Sequence, residues 1–465
     1  LQADALDVLE ARLEGVAAGL RMLALALEGR DEAGDVALIL ENFVAGRRGI
    51  GEYFVAEVLN KQPAPVQQFL LQSSVLARLT ASLCDSVTGR RTSQGLLETL
   101  EAANLFIEPL DGAGLWYRYH ALFATAMQAE ARRRLGDAAV RDLLQRAGQW
   151  YETHALLPEA IEAALLAGDH GRAASLIEAV VAPQFSIERP NMHGPPEFHS
   201  LQSWLRQLPP ATLGAHPLLN LALAVAMLFT AIVEMQPIDW ATYATIEQLL
   251  NRAERDFCAS GDTDRQGQIH AFRALMFRQR GEVAAAVGWA KAALDLLHPQ
   301  ELNWRSVCIG GLAMGEQYAG ALGKASALFT QAQAMCEQLG NRPFARANGG
   351  MLGGVLLEQN ELHRAARMFE QIQAEARAVS DFDDIAHTAS GLADISLRWN
   401  DLDAAQARAE EVLAVMQQFP HDVQHVEAGL ILAHVDQARG NHVAALARCA
   451  ALFDEITHAV LPREK

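Results

Sequence analysis

Five Gly or Asn residues set a rhythm that constrains this chain more than any other feature. Gly281, Gly320, Asn360, Asn400 and Gly440 follow one another at spacings of 39, 40, 40 and 40 residues. Five positions after each mark stands an alanine: Ala286, Ala325, Ala365, Ala405 and Ala445. Seven positions before each stands Ala274, Ala313, Gly353, Ala393 or Ala433. Gly or Asn at the mark suits the left-handed residue that closes a helix. Small residues on either side let the two flanking helices cross closely. The spacing therefore predicts five helical hairpins. In their second helices, offsets of 5, 9 and 12 give Ala325, Phe329 and Ala332, then Ala365, Phe369 and Ile372. The same offsets give Ala405, Ala409 and Val412, then Ala445, Cys449 and Leu452. That is one buried helical face per hairpin. A single hairpin cannot bury such a face, so consecutive units must stack into a solenoid.

The pattern resembles the tetratricopeptide repeat (TPR), with a period of about 40 in place of that family's usual ~34. An earlier, weaker unit ends at Gly168, with Ala173 at the matching offset. Two segments interrupt the array: Pro183 to Pro217, with seven prolines, and Glu234 to Trp240 around Pro237. Prolines force loops or helix ends. These insertions either carry function, as loops often do, or are plain connections.

Upstream of about residue 130 the texture changes. Pro63 and Pro65 open a predicted helix over Val66–Leu79, and Ser93–Ala103 reads as a second. Asn104–Leu110 and Leu115–Tyr119 read as two short strands about a turn at Asp111–Gly114. Helices, a β-wing and a following helix predict a winged-helix module. Residues 51–130 hold five Lys and Arg against eight Asp and Glu. A DNA-reading wing would be basic, so this one is read as contacting protein. The fold class expected is all-α: a TPR-like helical-hairpin superhelix preceded by a small winged helix. The expected domains are a helical tail over 1–48, the winged helix over 49–130 and the superhelix over 131–465.

Across the 465 residues, 38 Lys and Arg face 56 Asp and Glu, a formal net charge of −18. Such a chain repels phosphate backbones, which argues against direct DNA or RNA binding. The five cysteines, Cys84, Cys258, Cys308, Cys336 and Cys449, form no CxxC pair. A disulfide framework and a cysteine-rich zinc site are thereby excluded, and a reducing, cytoplasmic setting is expected. The most apolar run, Leu218 to Val233, is too short for a membrane span and reads as a buried helix. No secretory signal opens the chain.

Particular stretches then identify a relationship. Leu115-Trp-Tyr-Arg-Tyr-His-Ala-Leu-Phe123, Glu14-Gly-Val-Ala-Ala-Gly-Leu-Arg21 and Phe69-Leu-Leu-Gln-Ser-Ser-Val-Leu76 carry it. So do Leu83-Cys-Asp-Ser-Val-Thr-Gly89, Leu97-Glu-Thr-Leu-Glu-Ala-Ala-Asn-Leu-Phe106 and the pattern from Trp150 to Asp169. Together they resemble the MalT-like branch of large LuxR-type transcriptional activators. The resemblance implies a plan of signal-transduction NTPase, winged-helix linker, inducer-sensing superhelix and C-terminal DNA-binding helix-turn-helix. No G-x-x-x-x-G-K-[ST] phosphate loop is present. Near Gly323-Lys324, Tyr318 stands at the first Gly position and Ala325 at the Ser/Thr position. No helix-turn-helix follows Lys465, and Val16 stands where the family usually carries Trp. The resemblance thus implies a middle, sensor fragment that is not itself an enzyme and holds no cofactor, with ATP or ADP expected for the full-length protein. It also implies a role for His120: in related NTPases a winged-helix histidine at a helix start approaches the β-phosphate of ADP. A histidine merely packing at a strand-to-helix junction is the equal alternative.

Other motifs read as structure. Gly349-Gly-Met-Leu-Gly-Gly354 falls on a repeat's first helix, so it serves packing rather than a dinucleotide. Asp381-Phe-Asp-Asp384 lacks the Gly and bidentate Glu of a calcium loop and reads as a turn and helix cap. His421 and His425 lack a third metal ligand nearby in sequence.

For the sensor, first-helix offsets of −13, −6, −3 and −2 define a candidate inner face: Arg278, Gln317, Tyr318, His387, Asp394, Arg398 and His434. Gln268, Gln279, Glu358 and Gln437 share those offsets. Such groups suit a small polar or anionic inducer or a peptide, and an ordinary solvated face is the plain alternative. The irregular stretch could add Phe185, His193, Phe198, Trp204 or Trp240. Two functions follow: inducer sensing for a transcriptional activator, or a scaffold that binds a protein partner or a second copy. Neither involves nucleic acid or membrane contact by this chain.

Overall fold

The computed structural model describes residues 54–103, 106–111, 114–185, 195–233, 238–416 and 423–460. The expected tail over 1–48 and His421 lie outside them. The chain divides into two compact units, residues 1–177 with 207–209 and residues 178–206 with 210–465.

In the first unit, α1 (Ala64–Ser73), α2 (Ala81–Thr88) and α3 (Ser93–Ala102) precede β1 (Ile107–Pro109) and β2 (Tyr117–Tyr119), then α4 (Ala121–Leu135). The strands pair antiparallel with Glu108 opposite Arg118. Asp111 sets the turn by accepting from the backbone N–H groups of Leu115 at 2.9 Å and Trp116 at 3.2 Å. The predicted first helix ends early, at Ser73, because Leu79 pairs with Tyr117 as a third, single-bridge strand. Helix α2 is additional to the prediction: Thr80 caps it by accepting from Leu83 N–H at 3.2 Å, and Gly89 ends it at φ 71°. The core holds Phe69, Leu83, Leu97, Tyr119 and Phe123. Tyr119 shares a buried hydroxyl contact of 2.7 Å with Ser73. Helices α5 (Asp137–Thr153), α6 (Leu157–Leu166) and α7 (His170–Val181) follow. Gly168 is left-handed at φ 71° and Ala173 is fully buried, as the weak early unit requires.

The second unit is made of stacked hairpins. The proline-rich stretch, expected as loop or helix ends, is largely helical where described. Its prolines begin helices, as the missing N–H permits: α8 (Pro195–Arg206), α9 (Pro210–Gly214) and α10 (Pro217–Val233). Helix α10 is the apolar run, and most of its side chains are buried. No described helix is long and apolar enough to cross a membrane. After α11 (Trp240–Ser260) come the regular units. Their first helices are α12 (Thr263–Gln279), α14 (Leu302–Tyr318), α16 (Arg342–Glu358), α18 (Phe382–Arg398) and α20 (Val423–Ala438). Their second helices are α13 (Val283–Leu296), α15 (Leu322–Gln338), α17 (Leu362–Ala378), α19 (Leu402–Met416) and α21 (His442–Val460).

All five marks are left-handed, with φ of 74°, 75°, 61°, 61° and 84° in chain order. Asn at two of them exploits its tolerance of that region. The alanines five positions on are buried in every unit, and so are the residues seven positions back. Ala325, Phe329 and Ala332 are fully buried, as are Ala405, Ala409 and Val412. One expectation fails. Cys449 is exposed, together with Val443, Leu446 and Phe453 on α21. Phe329, Phe369 and Ala409, at the offset of Cys449 in earlier units, are buried, and no further first helix follows α21 among the described residues.

Candidate functional site: the first-helix face of the repeats

Successive first helices approach one another because small residues sit ten positions before the mark. At Gly310 of α14, an added Cβ would lie 2.8 Å from Asn348 Oδ1 of α16. At Gly350 of α16, it would lie 2.9 Å from Cδ2 of His387 on α18. At the equivalent Ser390 of α18, the hydroxyl donates to Glu427 Oε2 of α20 at 2.9 Å. A polar side chain of each later helix thus reaches over a small residue of the one before, forming a ladder across four units.

A second row joins the helix ends. Gln317 donates through Nε2 to Glu358 Oε1 at 2.5 Å. Arg398 pairs with Asp394 at 2.9 Å and reaches the Leu357 carbonyl at 3.4 Å. Gln317, Glu358, Asp394 and Arg398 therefore stand together. Tyr318, beside them, is 74% exposed.

The other expected site residues divide. Arg278 reaches toward Gly310 and forms no ion pair with a described residue, and burial pulls its guanidinium below the usual arginine value. His387 meets the edge of Phe369 at 6.1 Å between ring centroids, and its Nε2 has no partner among the described residues. His434 is exposed and lies apart, at a cavity of about 310 Å³ shared with Leu430, His442 and Leu446. Gln268 does not face a groove. It is fully buried and donates to the Phe185 carbonyl at 3.0 Å, where Arg265 also donates at 2.7 Å. Phe185 itself is buried and stacks on Trp304 at 6.3 Å. Phe198 stacks on Phe229 within the core, and Trp240 lies against Arg280 at 4.6 Å. His193 lies outside the described residues.

In the first unit His120 precedes α4. Its backbone N–H donates to the Phe106 carbonyl at 2.8 Å, while Nδ1 is buried without a partner among the described residues.

Two buried ion networks escaped the sequence reading. Arg346, 6% exposed, binds Asp384 at 2.6 Å and Asp381 at 2.5 Å. Arg273, 2% exposed, binds Glu247 at 2.9 Å and Glu254 at 2.8 Å beneath the Trp289 ring. Asp381 caps α18, as expected, but also supplies this cross-helix charge. Each arginine joins residues 19 to 38 positions apart, beyond the reach of local patterning. Among the described residues no three His, Cys, Asp or Glu side chains cluster as metal ligands.

A winged helix joined to TPR-like hairpins whose first helices carry a polar ladder defines a class: linker and sensor regions of signal-responsive regulators. The MalT winged helix domain matches residues 55–139 and the MalT-like TPR region matches residues 267–454. The chain belongs to the MalT-like family. It is 25% identical over 421 residues to the HTH-type transcriptional regulator MalT of Vibrio cholerae, covering 88% of this chain and 43% of that protein. It is 28% identical over 327 residues to MalT of Klebsiella pneumoniae, covering 70% and 34%. It also resembles the serine/threonine-protein kinase PknK of Mycobacterium tuberculosis, 26% identical over 62% of this chain and 25% of that one. The chain thus spans less than half the length of these relatives. A crystal structure of a signal transduction ATPase with a tetratricopeptide repeat sensor, from Pyrococcus horikoshii, shares the fold. It has a TM-score of 0.53 and 12% identity, covering 93% of this chain and 71% of that one.

Proposed function

We propose that this chain is the ligand-sensing and signal-relaying region of a cytoplasmic, ATP-dependent transcriptional activator, with a small-molecule inducer bound on the first-helix face of the superhelix. The observation that carries this reading is the polar ladder Gly310–Asn348, Gly350–His387 and Ser390–Glu427. One ligand on it touches several units at once, so binding favours one curvature of the stack over another. A switch requires that differential affinity. Arg278, Gln317, Tyr318, His387, Asp394 and Arg398 supply the polar contacts, and His434 the contact nearest the end of the array. The winged helix relays the state, and His120 contacts the phosphate of a nucleotide held by the rest of the regulator. Chemistry on ATP and reading of DNA belong to other parts of the full-length protein, so the purified chain neither hydrolyses ATP nor retards duplex DNA.

The test is a metabolite library screened by melting temperature, followed by calorimetry of the best binder on Arg278→Ala, Tyr318→Phe, His387→Ala and Arg398→Ala. Loss of a charged hydrogen bond should weaken binding by about ten- to a hundred-fold. Unchanged affinity in all four variants would remove the site from this face. A chain stabilised only by a protein partner would be a scaffold instead.

A further inference from the structure

Arginines that are buried or that lie on first-helix faces in the second unit are mostly neutralised. Arg273 meets Glu247 and Glu254, Arg346 meets Asp381 and Asp384, and Arg398 meets Asp394. Arg265 is tied to the Phe185 carbonyl and Gln268. Arg278 differs. Its half-buried side chain makes no hydrogen bond or ion pair with any described residue, and partial burial pulls its guanidinium below the usual arginine value. A half-buried guanidinium with no partner among the described residues keeps its N–H donors open to a ligand.

Its surroundings have the shape of a subsite. Arg278 Nη1 and Asn348 Oδ1 lie 3.8 and 2.8 Å from the same point, the place a Cβ on Gly310 would occupy. Asn348 is 5% exposed, and its Nδ2 is committed to the Phe344 carbonyl at 2.9 Å. That bond fixes the amide orientation and leaves Oδ1 as a free acceptor on the Gly310 side. Three successive first helices, α12, α14 and α16, therefore present a cation, a bare backbone floor and an acceptor to one small volume.

We infer that Arg278, Gly310 and Asn348 form a binding site for a small organic anion, whose carboxylate or phosphate pairs with Arg278 and whose adjacent hydroxyl or amine donates to Asn348 Oδ1. The inference rests on the sensing reading and names the chemical class of its ligand. The guanidinium fork suits two oxygens of a carboxylate or phosphate. The acceptor beside it rejects an anion that lacks a neighbouring donor, because Asn348 Oδ1 would then stay unpaired under the ligand. The absent side chain at Gly310 lets Asn348 Oδ1 and Arg278 approach the α14 backbone together.

The experiment measures melting temperature and calorimetric affinity of the purified chain and of Arg278→Met, at constant ionic strength. The probes are L-malate, succinate, inorganic phosphate and glycerol. L-Malate should raise the wild-type melting temperature by about 2–4 °C and bind more tightly than succinate, which lacks the hydroxyl. Glycerol should do neither. Arg278→Met should be at least as stable as the wild type without ligand and should lose the response to L-malate, with affinity down at least tenfold. Arg278→Lys should restore part of it. Equal stabilisation of wild type and Arg278→Met, or no stabilisation by any anion, overturns the assignment. So does a marked loss of stability in unliganded Arg278→Met, which would make the arginine structural. A neutral library compound that binds unchanged in Arg278→Met but is lost in His387→Ala would overturn the anion class alone and leave the sensing reading standing.

Discussion

The ring of Phe369 occupies the space that a side chain on Gly353 would need: a Cβ there would lie 2.5 Å from Cε1 of the ring. The two residues sit at −7 and +9 about the Asn360 mark, so the hairpin closes by setting a large residue of one helix against a bare position of the other. Gly391 of the next first helix meets the opposite edge of the same ring. Gly353→Ala should therefore destabilise the chain by about 1–3 kcal/mol through overpacking, despite the better helix propensity of alanine. Denaturant unfolding with unchanged m-value measures it. A neutral or stabilising result would mean that the contact is looser than described.

Glu301 caps α14, accepting from Trp304 N–H, and is 2% exposed. Burial, with Asp264 nearby, pushes its carboxyl from an ordinary 4.5 up to about 7. A raised carboxyl pKa means that the folded state holds a proton the unfolded state has released. Its stability contribution is complete below about pH 4.5 and is lost as pH rises to about 7, at up to about 1.4 kcal/mol per unit. Glu301→Gln should flatten that part of the stability profile and gain on wild type at pH 8. Parallel profiles for the two proteins would refute the shift.

The exposed apolar face of α21 and its buried face should respond differently. Leu452 packs against Gly429, 7% exposed, whereas Leu446 is 72% exposed. Leu452→Ala should cost about 2–5 kcal/mol. Leu446→Glu should stay within about 0.5 kcal/mol. A large cost for Leu446→Glu in dilute monomer would show that this face is covered.

Ser380, between α17 and α18, holds φ 56° at the place where Gly340 holds φ 70° one repeat earlier. A side chain in that region costs about 1–2 kcal/mol, and glycine gives part of it back in unfolded-state entropy. Ser380→Gly should raise the melting temperature slightly. A fall would mean that the serine side chain holds the turn.

The repeat array was legible because its signals are local and periodic: a left-handed mark, and small residues at fixed offsets that backbone crossing demands. The wing was legible from Asp111 and Gly114. Helix α2 was overlooked because eight residues carry too little periodicity, although Thr80 and Gly89 bracket it. Arg346 with Asp381 and Asp384 could not be read, since pairing across helices depends on stacking geometry. For the same reason the facing offset of Gln268 does not reveal that it anchors Phe185. The facing offset marks Arg278 as a polar residue, but its lack of a counter-ion among the described residues is visible only in three dimensions.

The proposed sensing surface is the first-helix face of the repeats. Hydrogen–deuterium exchange of the purified chain, with and without whichever screened compound raises its melting temperature, tests it most directly. Exchange should slow chiefly in α12, α14, α16 and α18, on peptides covering Arg278, Gly310, Asn348 and His387. Protection confined to the winged helix or to the second helices α13, α15, α17 and α19 would contradict it.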